Sequence, residues 1–499
     1  MTYEDLKPHI LRCQALNAAL TLFAWDQDTE APRESVDNTA KFVGVLTNDY
    51  FEAVTNPEAK KILLDLSQQD LPLAQKAVVK KWLKDLKQLE KIPAEEYQAH
   101  QELVMKAQRV WQQAKVTNDY PLFKPYLKKI VEDQKRFAKY RQENEACLYD
   151  VLLDDFEPGF TTKELDEFFA LLRQEIVPLL KKIQASPKKI DKSFMNREYP
   201  IDLQKTFNLQ LAKYIGFDFE RGVIKESEHP FTTNFHNHDV RLTTHYYLNN
   251  LESAIFSTIH ETGHATYEFN IADDITLTPA NQVSMGRHES QSRFYENVIG
   301  RSRNFWKPLY PKLKGLFPKQ LDDITFDHFM EAINKAEASL IRTEADELTY
   351  SLHIMIRYEI EKKLFSEDID YDALPALWNQ MYQDYLGITP PNDTAGILQD
   401  VHWAGGMLGY FPSYALGSAI ASQIYAYMQK NTAIDQWISE GDFASVKAYL
   451  KEHIHQYGAI YDTNELLMML TKEKFNARYY VDYLKEKFMR LYQLKDCQN

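Results

Sequence analysis

Two histidines four residues apart, with a glutamate directly after the first, carry the most specific chemistry in this chain. Residues 260–264 read His-Glu-Thr-Gly-His. Just upstream, Leu251, Ala254, Ile255, Thr258 and Ile259 recur at helical spacing, so a helix is expected through the motif. On a helix, positions i and i+4 share a face, which puts both imidazoles within reach of one ion. Zinc takes imidazole nitrogen readily, and a catalytic zinc keeps an open position beside its three protein ligands. Glu261 would face that open position. Its expected role is general base, taking a proton from the water that attacks a carbonyl and returning it to the leaving amine. The bland alternative is a solvated helix face, but Ile255, Ile259 and Ala265 argue for burial.

The third ligand is less legible. A second histidine-rich class extends the motif to a glycine and a third histidine. Here those places hold Tyr267 and Asn270, so that class is excluded. A downstream carboxylate must serve instead, and Glu268, Glu289 and Glu296 compete. Glu268 is one turn past His264 on the same helix and reaches the ion poorly. Spacing alone does not separate Glu289 from Glu296.

The elements that must hold these groups are mostly helices. The chain has 499 residues, 44% of them hydrophobic, and only 16 glycines. Long segments lack breakers and are rich in helix formers, so the fold class is mainly α. Thr161 stands three residues before Glu164 and ahead of an apolar run, which is a capping-box signature. Lysines mixed with apolar residues over 76–91 read as a solvated helix face. Ser186-Pro187-Lys188-Lys189 is the clearest break. It divides the chain into an N-terminal helical half, 1–185, and a half carrying the site, 186–499, within one peptidase domain of 1–499. Strand signal is rare and best over Asp239–Tyr246, where a small sheet at a cleft edge is expected.

A formal net charge of −14 disfavours nucleic acid as a partner. Cys13, Cys147 and Cys497 are scattered and read as reduced thiols rather than a disulfide framework. There is no apolar run of membrane-spanning length and no secretory signal, so a cytoplasmic location is expected.

Several ordered motifs resemble the Taq-type thermostable metallocarboxypeptidase family. They are His229-Pro230-Phe231, Asp239-Val240-Arg241-Leu242-Thr243, the zinc motif, His288-Glu289-Ser290-Gln291, Ile341 to Asp346 and Gly396 to Trp403. Weaker echoes are Trp25-Asp26-Gln27 and Tyr149 to Asp154. The resemblance implies Glu289 as third ligand. It also implies a helical, saddle-like fold with a deep groove, a homodimer, and removal of C-terminal residues from peptides with broad specificity. Cobalt or manganese are possible substitutes for zinc.

A carboxypeptidase must grip a terminal carboxylate, for which a guanidinium fork is suited. Arg342 and Arg241 are the candidates. Their structural alternatives are ion pairs, of Arg342 with Asp346 or Glu337 on a helix and of Arg241 with Asp239. Tyr410 and Tyr414 are candidates for donating to the oxyanion. His229 and His402 are candidates for the cleft wall, and Asp346 and Asp400 for orienting the zinc histidines. An oligoendopeptidase with a similar groove and a helical binding protein with a vestigial site are the competing readings.

Overall fold

The computed structural model describes residues 1–366 and 368–494. Cys497 lies outside them. Helices Tyr3–Thr29, Val36–Val54, Leu73–Glu90, Ala94–Thr117, Tyr120–Arg141 and Thr162–Ala185 build the first part of the chain. Their ends follow local chemistry. Thr161 forms the expected capping box, its N–H donating to Glu164 at 3.0 Å. The helix it opens stops at Ala185, where the Ser186-Pro187 pair begins a loop. One continuous apolar core contains residues from Leu6 through to Tyr492, so both parts of the chain pack into it.

The sheet has three strands, β1 (Gly222–Glu226), β2 (Thr232–His236) and β3 (Asp239–Thr244), in the order β1-β3-β2. β1 runs parallel to β3 and β2 antiparallel to it, with Thr232 opposite Leu242 and a bulge between Asn234 and His236. β3 stops two residues short of the expected strand. The alternation over its first residues has a simple cause: Val240 and Leu242 point into a second small core with Ala212, Phe217, Ala265 and Phe269. Ala265 and Phe269 belong to the helix Leu251–Asn270 that carries the histidine pair. The sheet is therefore bolted to that helix, with β2 as an open edge.

A groove of about 1330 Å³ separates the N-terminal helices from this unit. Thr232, Thr233 and Asn234 line one wall, and Lys80, Lys81 and Lys84 line the other. The lysines expected on a merely solvated face thus border the groove. Lys81 and Lys84 are tethered there by Asp85 at 2.7 Å and Asp154 at 2.5 Å. Among the described residues, no helix is long and apolar enough to cross a membrane.

Candidate metal centre and substrate site

The double-histidine helix opens at Asn250, whose side chain accepts from the Ser253 N–H at 3.1 Å. The helix Met285–Arg293, which carries Glu289, opens at Ser284. The two helices meet at Gly263. A Cβ there would lie 2.6 Å from the Gln291 carbonyl oxygen and 2.7 Å from Ser292 Cα. On the far side Gly417, in the helix Pro412–Asn431, leaves room for the Glu289 side chain in the same way. Glycine at both places is what lets three helices close on one point.

At that point His260 Nε2 and His264 Nε2 lie 3.6 and 3.3 Å from Glu289 Oε2. Donor atoms of the three residues all fall within 4.8 Å of one another. The donor chemistry fits a cation. His260 Nδ1 is 2.8 Å from Glu296 Oε2 and donates to it, so whenever the ring is neutral its Nε2 turns a lone pair toward a carboxylate oxygen. Two acceptors facing each other need positive charge between them. Burial opposes protonation of His260, yet Glu289 and the Glu296 bond overcome it and raise its pKa. His264, buried against the His288 ring, is pushed down to about 3. Burial also works against ionised Glu289, but Arg293 and His260 hold it well below the usual range.

Glu296 reaches His260 because the Glu289 helix continues into a π-helical turn, Phe294–Ile299. It therefore orients a candidate ligand instead of competing with Glu289. Glu268, the other competitor, turns to His288, 2.7 Å away. Arg293 ties the pair of carboxylates together, donating to Glu289 at 2.7 Å and to Glu296 at 3.1 Å. Its place four residues after Glu289 was a readable signal. The expectation that Asp346 and Asp400 orient the histidines is corrected. Asp346 accepts from the Leu348 and Thr349 N–H groups. Asp400 accepts from Arg342 Nε at 2.9 Å and Arg357 Nε at 2.6 Å.

Glu261 is buried, and burial raises its carboxyl above the usual range. Thr232 of β2 donates to its Oε2 at 2.7 Å, a contact that sequence reasoning had no means to find. Arg342 is not on a helix as expected but in a short 3-10 turn, Arg342–Glu344. Its partner is Asp400, not Asp346 or Glu337. Nη1 donates to Tyr350 at 3.1 Å, and Nη2 makes no hydrogen bond among the described residues. The guanidinium lies 4.9 Å from the Tyr414 ring centre. Tyr414 shares a 3.3 Å hydrogen bond with His402 Nε2 and meets Tyr410 edge to face at 5.1 Å. Burial and Glu289 lift the Tyr410 phenol to about 12, and burial and Tyr410 raise Tyr414 further, so both keep their protons. Burial lowers His402 to about 4. These residues therefore gather on the Glu289 side of the cluster. Arg241 and His229 do not join them. Both Arg241 Nε and Nη2 turn to Asp239, at 2.9 and 2.8 Å, beneath the Phe235 ring. His229 sits in the bend before β2, its carbonyl accepting from Ser227.

A mostly helical fold closing two imidazoles and a carboxylate beside a long groove is that of a metal-dependent peptide hydrolase. The family model described as carboxypeptidase Taq (M32) metallopeptidase matches residues 5–488. Carboxypeptidase 1 of Bacillus subtilis is 44% identical over 498 residues, covering 99% of each chain. Thermostable carboxypeptidase 1 of Thermus thermophilus is 34% identical, over 99% of this chain and 100% of its own. The M32 carboxypeptidase structure from Deinococcus radiodurans superposes with a TM-score of 0.95 at 31% identity, covering 99% of both chains. The chain belongs to the M32 family and is a metallocarboxypeptidase.

Proposed function

We propose that this enzyme trims C-terminal residues from peptides with broad specificity, using zinc held by His260, His264 and Glu289 and Glu261 as general base. The convergence of those three side chains within 4.8 Å carries the reading. When bound, zinc supplies Lewis acidity to the scissile carbonyl and to a water, and nitrogen and carboxylate donors suit it. The remaining work falls to the chain. Glu261, anchored by Thr232, takes the proton of the attacking water and passes it to the leaving amine. Tyr410 and Tyr414 retain phenolic protons to donate to the developing oxyanion. Arg342, its Nε fixed by Asp400 and Nη1 by Tyr350, has Nη2 left for the terminal carboxylate. The open edge of β2 along the groove supports broad specificity, since an edge strand reads main chain rather than side chains.

Free Cys13 and Cys147 support a cytoplasmic setting, and exposed Phe42 and Val45 on the helix Val36–Val54 support a homodimer. The discriminating experiment is mass spectrometry of a long peptide digested with and without chelator. Stepwise loss from a free C-terminus, abolished by chelator and unaccompanied by internal cuts, is expected. Internal cleavage would favour an endopeptidase. Glu261→Gln should keep zinc and lose about 10²–10⁴-fold in kcat.

A further inference from the structure

The two histidines of the cluster are held by different means. His260 gives its Nδ1 proton to Glu296. His264 Nδ1 is buried and has no hydrogen-bond partner among the described residues. A metal-binding imidazole normally has its second nitrogen anchored, because that bond sets the ring plane. What His264 has is a neighbouring ring. His288 lies nearly parallel to it, with centres 4.4 Å apart and 14° between planes. His288 is itself pinned, its Nε2 sharing a 2.7 Å hydrogen bond with Glu268 Oε1. Glu268 Oε2 accepts from Asn234 Nδ2 of β2 at 2.5 Å. Tyr267 packs on the same ring at 5.5 Å. The histidine before Glu289 is thus a fixed plate, braced from the sheet, against which His264 rests.

We propose that His288 is a positioning residue whose stacked ring sets the plane of His264 in place of the missing hydrogen bond. The proposal rests on the reading that His264 holds the metal. It implies that the flat face of residue 288 matters for binding and its polar atoms matter for stability. His288→Phe keeps the face and forfeits the Glu268 bond. His288→Gln keeps a polar partner for Glu268 and forfeits the face.

The test is Zn2+ affinity of the full-length apoenzyme, read by competition with a chromophoric chelator, and the visible spectrum of the Co2+-loaded form. Unfolding midpoints are measured alongside. His288→Gln is expected to weaken binding about tenfold and to shift the Co2+ bands. His288→Phe is expected to unfold earlier yet bind within about threefold of the parent. Phe binding as weakly as Gln, or Gln binding as the parent does, overturns the positioning role. Where His288→Gln does not fold, His288→Leu, which keeps the bulk but not the flat face, is expected to weaken binding in the same way, and unchanged affinity there overturns the role. His264→Ala separates the two levels. Loss of stoichiometric binding supports the metal reading whatever the His288 variants do, and unchanged binding in it overturns that reading and the proposal together.

Discussion

Gly263→Ala tests whether close helix contact is what delivers Glu289 to the histidines. The new methyl group would stand 2.6 Å from the Gln291 carbonyl oxygen and 2.7 Å from Ser292 Cα. Both are backbone atoms of the neighbouring helix, so no side-chain rotation relieves the clash. Ordinary contact begins near 3.4 Å, so the helices must part by about 0.8 Å. Two effects oppose each other in stability. Alanine gains about 1 kcal/mol over glycine inside a helix. Overpacking a tight interface costs about 1–3 kcal/mol. The net is a destabilisation of about 1 kcal/mol, modest for a chain of this size. Function should suffer more, because the displaced helix carries Glu289 and a misplacement of about 1 Å costs on the order of 100-fold in rate. The assay pairs the thermal midpoint with metal stoichiometry and kcat/KM on a short free-carboxylate peptide. A variant with a raised midpoint, full metal and kcat/KM within about twofold of the parent would refute the close-packing account.

Glu296→Gln replaces the carboxylate that orients His260, and zinc affinity measured by chelator competition should fall about 10–100-fold with the fold intact. Arg342→Ala should reduce kcat/KM about 10–100-fold on free-carboxylate peptides and much less on amidated ones. Equal losses on both would remove Arg342 from carboxylate recognition. Stability should drop little, because Arg357 still holds Asp400 at 2.6 Å. Glu361 gives a pH signature away from the site. It accepts from Tyr149, Trp403 and the Gly409 N–H, but burial lifts its carboxyl from 4.5 to about 7. Between those values the folded state keeps a proton that the unfolded state has lost, so stability falls as pH rises through the window. The cost by pH 7 is about 3 kcal/mol and vanishes below pH 4.5. Glu361→Gln carries a fixed hydrogen-bond mismatch but no proton, so its thermal midpoint relative to the parent should improve from pH 5 to pH 7.5. A pH-independent difference would show that Glu361 does not titrate in that range.

Local chemistry was legible in the sequence because it depends on a few neighbouring residues. The i, i+4 spacing alone placed His260 and His264 on one helix face. The Thr161–Glu164 capping box, the break at Ser186-Pro187 and the alternation in β3 are equally local, and all appear where their residues put them. Motif resemblance singled out Glu289, which spacing could not do. Apart from Arg293, what makes the cluster a rigid site lies mostly between distant residues. Glu296 reaches His260 only because a π-helical turn changes the register after Arg293. Arg342 sits in a turn and pairs with Asp400, 58 residues on, rather than with the Asp346 that helical spacing suggested. Lys80, Lys81 and Lys84 face a groove wall because another part of the chain passes opposite them. Helical periodicity follows from backbone geometry and can be read from one segment. The choice of partner for a buried charge follows from which surfaces the whole core brings together, and only the tertiary structure decides that.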